Sequence, residues 1–94
     1  MIASAVGNVE DLVATSDGAR VVVAWRETRP NGSLVRVVRV QADGREVDAT
    51  PLDVVTIPYA ATFSVAAEAS SILVAYTEPQ VSGATAVRAV IVPN

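Results

Sequence analysis

The side chains in this sequence that could do chemistry are few in kind and placed in pairs. Glu27 and Glu78 each close a β-branched run, VVVAWRE (21–27) and ILVAYTE (72–78), two positions after an aromatic, Trp25 and Tyr76. Arg29 lies just beyond the first glutamate, and Arg36 and Arg88 occupy matching places in the next runs, LVRVVRVQ (34–41) and ATAVRAVIV (84–92). A set of carboxylates could line a pocket or hold a cation. Arginines could clamp an anion or a carboxylate ligand, and Trp25 and Tyr76 could form a platform for a sugar. Each also has a plainer role. An arginine inside a valine strand must snorkel or pair, and Glu27, Glu46 and Glu78 are the partners within reach by sequence. Trp25 and Tyr76 are flanked by core-type residues, which favours packing between stacked sheets with the polar tip satisfied. The candidate ligand-binding set is therefore Glu27, Arg29, Arg36, Glu78 and Arg88, with structural pairing as the heavier reading.

What is missing narrows the chemistry further. There is no histidine and no cysteine, and all seven basic residues are arginine. Disulfides, thiolate or imidazole metal sites and the commonest general base are thereby excluded. No nucleophile stands with a base beside it. Two acids could hydrolyse a glycoside only at a defined separation, which a sequence does not supply. The expectation is no enzyme, no cofactor and no metal. A net charge of −3 argues against nucleic acid as the main partner, and no apolar run approaches the roughly 20 residues that span a bilayer.

The elements that must position these residues read as strands throughout. Candidates are 12–15, 20–26, 34–41, a weaker 46–55 interrupted by Pro51, then 62–66, 71–77 and 84–92. Between them stand Ser-Asp-Gly (16–18), Pro-Asn-Gly (30–32) and Asp-Gly (43–44), all turn signals. A strand that holds a proline belongs at a sheet edge. Hydrophobic residues make up 51% of the chain but aromatics only 4%, so valine and alanine carry the apolar content. Runs such as VVVA and ILVA do not alternate, which implies strands covered on both faces. That is more apolar surface than one small core needs, so part of it is expected to meet another chain.

The chain also repeats. Trp25 and Tyr76 are 51 positions apart, and at that offset Ala24 meets Ala75, Glu27 meets Glu78 and Gly32 meets Gly83. One extra residue in the second loop sets VRVVRV (35–40) on VRAVIV (87–92), with Arg36 on Arg88. A unit of about fifty residues and four antiparallel strands that cannot cover its own faces is a propeller blade. The order SDG…VVVAW…NG…VRVVRV…ADG…VD…PL resembles blade repeats of bacterial, often exported, β-propeller proteins. It lacks the Gly-His and Trp-Asp pairs of WD40 blades, the Gly-Gly of kelch blades and the Asp box of sialidase-type blades. The resemblance is specific for fold and not for function, because such blades serve lectins, enzymes and scaffolds alike.

The expected architecture is all-β: two four-stranded blades, about 1–51 and 52–94, the second without its outer strand. A monomeric seven-stranded β-sandwich is the alternative. In the blade reading, Met1 aligns with Leu52, so Met1–Val6 would lend an outer strand to a neighbouring copy. Three or four chains would then close a ring of six or eight blades. The expected function is structural self-assembly as a homo-oligomer. The alternative is a lectin-like module that binds carbohydrate or protein through the loops after Glu27 and Glu78. The resemblance implies an exported or extracellular bacterial setting for a parent protein.

Overall fold

Seven strands form wherever β-branched runs are bounded by turn residues, and no helix is present among the described residues. The computed structural model describes residues 8–48 and 50–94. The strands are β1 (Val9–Ser16), β2 (Arg20–Arg29), β3 (Gly32–Gln41), β4 (Leu52–Ile57), β5 (Phe63–Ala67), β6 (Ser71–Pro79) and β7 (Thr85–Pro93). They make two antiparallel meanders, one sheet in the order β1-β2-β3-β4 and one in the order β5-β6-β7. Neighbours in sequence are neighbours in each sheet. The seven strands expected for a sandwich are there, but the Greek-key crossing that such a sandwich uses is absent among the described residues.

Period-two alternation decides which face each residue takes. In the first sheet Val22 and Ala24 of β2 stand beside Val37 and Val35 of β3 on one side. Trp25 and Glu27 share the other side with Arg36 and Val38. The second sheet closes over the first of these sides. Val22, Ala24 and Val37 meet Ile72, with Val13, Phe63, Val65 and Val92 around them. Val35, Ile57 and Ala61 meet Val74, with Tyr76 beside them. At one end of this layer the Arg26 Nη1 donates to the carbonyl of Ala61 across the gap at 2.5 Å. Its Nε lies 2.8 Å from the Asp11 carboxylate. Asp11 adopts φ 56 where the β1–β2 register slips between Glu10 and Val13. The bulge turns its carboxylate toward the arginine, and aspartate tolerates the left-handed backbone.

Three expectations change. The fourth strand does not straddle Pro51 but begins after it, at Leu52, because proline cannot donate to the ladder. Upstream of it only Glu46 makes a bridge, to Val40. Second, Trp25 does not pack between the two sheets. It lies on the far side of the first sheet with Val38, Val40 and Val23, whereas Tyr76, its repeat partner, lies between the sheets. Third, the second sheet is covered on one face only: Leu73, Val87 and Ile91 on the other are 37%, 77% and 68% exposed. The proposed strand exchange by Met1–Val6 lies outside the described residues.

Each hairpin takes its shape from its turn residues. Pro30 and Asn31 cap the β2–β3 hairpin, and the positive φ of 145 falls on Gly32. A Cβ there would sit 2.6 Å from the Ile57 carbonyl oxygen, whereas one on Gly83, its repeat counterpart, would meet nothing within 4 Å. Gly32→Ala should therefore destabilise the chain by roughly 2 kcal/mol or more, and Gly83→Ala by only about 1 kcal/mol. Urea unfolding of both variants checks this; equal midpoints would show that the close approach at Ile57 carries no cost.

Candidate functional site

The strand period places Trp25, Glu27 and Arg29 on one side of β2, and the hairpin register brings Arg36 opposite Trp25. Glu27 is fully buried at their centre. Trp25 Nε1 donates to Oε2 of Glu27 at 2.8 Å, Arg36 Nη1 to the same oxygen at 3.2 Å, and Arg29 Nη2 to Oε1 at 2.7 Å. Arg36 also donates through Nε to Asp53 at 2.9 Å, which ties β3 to β4 at the pair where their register slips. One carboxylate thus fastens β2, and through Arg36 it reaches both β3 and β4.

The electrostatics follow from this arrangement. Burial pushes the Glu27 pKa up, but the hydrogen bonds from Trp25, Arg29 and Arg36 outweigh it and hold the carboxyl below its ordinary value. A carboxylate kept ionised by charged donors cannot serve as a general acid near neutral pH. With no exposed surface it also offers no path to a substrate.

The second repeat writes the same arrangement more openly. Tyr76 stands opposite Arg88 as Trp25 stands opposite Arg36, and Arg88 Nε donates to the Glu78 carboxylate. Gln80 takes the place of Arg29. Here the glutamate is about a third exposed and the arginine about half. The two clusters do not form one site: Glu27 faces away from the second sheet, whereas Tyr76 faces into the layer between the sheets. So Glu27, Arg29 and Arg36 come together, Glu78 and Arg88 come together, and the five candidates are not gathered around a common cavity. Among the described residues no three acids, histidines or cysteines gather that could hold a metal ion.

Sequence reasoning missed a second buried carboxylate. Asp48 accepts from the Arg39 backbone N–H at 2.9 Å and from its guanidinium at 2.5 to 3.2 Å. Those hydrogen bonds hold its carboxyl below the ordinary value against the opposing effect of burial. Val47 N–H donates to the Arg39 carbonyl. The segment around Asp48 thereby covers the part of β3 that β4, paired at Ser33–Val37, does not reach. The signal was an arginine in a valine strand followed nine positions on by an aspartate in a turn-rich segment; nothing in the spacing distinguishes Asp48 from Asp43 or Glu46 as its partner.

No family model matches the chain, and no curated protein or solved structure matches it either.

Glu27→Gln removes the charge and leaves two arginines without it, so a loss on the order of 3 kcal/mol is expected in urea unfolding. The folded pKa values of Glu27 and Asp48 lie below their unfolded ones. The stability they contribute is thus complete above about pH 4.5, the ordinary glutamate value, and fades as pH falls through the folded values. The parent chain should lose stability in that acid range more steeply than Glu27→Gln does. Parallel pH profiles for the two proteins would overturn the assignment.

Proposed function

We propose that the chain is a non-catalytic structural unit, two propeller-type blades whose role is self-association. The observation that supports this best is the sense in which the two sheets stack. Leu73 and Ala75 of β6 are the repeat counterparts of Val22 and Ala24 of β2. In the first sheet these positions are buried beneath the second sheet, and in the second they look outward. Ile72, Val74 and Tyr76 face the first sheet, and their counterparts are Val21, Val23 and Trp25 on its far side. Equivalent faces therefore point the same way, as in a stack of repeats in which each sheet covers its neighbour. The second sheet presents the face that, one repeat earlier, this chain covers with a sheet.

An uncovered edge supports the same reading. The β3 edge is paired to β4 along Ser33–Val37, but β7, the counterpart of β3, has a neighbour on one side only among the described residues. A nine-residue valine-rich edge strand is a template for pairing with another chain. In the ring form of this proposal, three or four copies join through open edges such as that of β7. The alternative of a carbohydrate-binding module needs glutamates and arginines presented to solvent, and Glu27 is fully buried with its arginines only partly exposed.

Light scattering over a wide concentration range tests the proposal. A mass that rises above that of one chain is the expected outcome. A single chain at every concentration would overturn it.

A further inference from the structure

We infer that the outer face of the second sheet is the joining surface, and that its occupant is the same face of a second copy, related by a two-fold axis. This rests on the self-association reading above and specifies which surfaces meet. The outward positions are Ser64 and Ala66 on β5, Leu73, Ala75 and Thr77 on β6, and Thr85, Val87, Ala89 and Ile91 on β7. None of them is charged. Bringing two identical faces together requires that no group meets its own like charge; the strand positions of this face meet that condition, with Glu68 standing at its end beside Leu73 and Ile91. Its relief is also suited to a copy of itself. The bulky Leu73 and Ile91 stand as one directly opposed pair, and the small Ala75 and Ala89 form the next pair along the strands. A raised pair beside a shallow one lets two such surfaces interlock when turned end for end.

The other broad face of the molecule has less to offer. A head-to-tail contact, as in a ring, would use the far side of the first sheet as the mate. There Val9 and Val21 stay 47% and 36% exposed at the margins, but Trp25, Val38 and Val40 at the middle are already 4%, 1% and 5% exposed within a single chain. Apolar area still open to water drives association, and on the second sheet Val87 and Ile91 keep most of theirs. Ring closure and face pairing compete for this one surface, and the burial of Trp25 favours pairing.

Area sets the expected strength. Two strands of nine residues and one of five, spaced about 4.8 Å apart, present at most on the order of 400 Å² per copy. A pair would bury about 800 Å² in total, below the range of stable complexes. The dimer should therefore be weak and depend on concentration.

Sedimentation of the intact chain from roughly 10 μM to 1 mM, a span chosen for an interface of this size, should show monomer passing to dimer. Ile91→Glu should hold the chain monomeric over that span with an unchanged circular dichroism spectrum. Val81→Glu, at a fully exposed loop position away from the sheet face, should dimerise as the parent does. The chain has no cysteine, so Ala89→Cys gives a clean second readout. Near a two-fold axis it should yield a covalent dimer under mild oxidation at concentrations where Val81→Cys does not. Three or four chains with no Ala89→Cys cross-link would overturn the pairing while leaving self-association intact. A monomer throughout would overturn both. Dimerisation that survives Ile91→Glu in a folded chain would overturn the pairing alone.

Discussion

A sheet made of valine and alanine holds together in water only where another layer keeps water from it, and in this chain one contact does that for both sheets. Val22, Ala24, Val35 and Val37 are fully buried because Ile72 and Val74 lie over them, and those two are buried for the same reason. Side chains of this size contribute roughly 25 cal/mol for each Å² removed from water, and they fill space through numbers rather than bulk. No disulfide helps, since the chain has no cysteine. The position of every other feature depends on this layer. Arg26 bridges its end to Ala61, and the second sheet's far face is open because its near face is used here.

Charged pairs tie strands and turns together in this chain. Glu27 and Asp48 are buried acids, each paired with an arginine on β3, Arg36 and Arg39 respectively. They act at the two ends of β3, one by holding β2 and β4 to it, the other by holding the segment before Pro51 along it. Such pairs contribute little compared with a well-packed apolar alternative, but removing one partner is costly, because the charge left behind has nowhere to be solvated. They also select register: a slip of one residue on β2 would carry Glu27 to the face occupied by the second sheet. The second repeat keeps the Glu78–Arg88 pair but leaves it partly in water, where it has less influence.

The two repeats thus share a pattern and differ in completeness. The first sheet has a fourth strand beside β3; the second has three strands among the described residues and one bare face. A chain with one finished and one unfinished layer has a physical motive for association, because the unfinished layer exposes the kind of surface that the finished one buries. Glu27 and Glu78 are each paired with arginine, and Glu27 is closed to solvent.

The residue order by itself determined the all-β class, the turn positions, five of the seven strands closely, and the pairing of Arg36 and Arg88 with glutamates. All of these are local or follow a period of two, and a strand's composition and its bounding turns carry that information without reference to the rest of the chain. The true start of β4 was legible in hindsight from Pro51. What the tertiary structure alone decided is which side of each strand looks where. Alternation sorts residues into two faces but does not say which face a second layer will cover, so of Trp25 and Tyr76, alike in sequence, only Tyr76 ends inside the inter-sheet layer. It also decided that Asp48, rather than its acidic neighbours, meets Arg39, since that depends on how a turn-rich segment lies against β3. A non-alternating run signals that both faces suit burial. Whether both are buried depends on how many layers the chain can supply, and the described residues supply one fewer than the second sheet calls for.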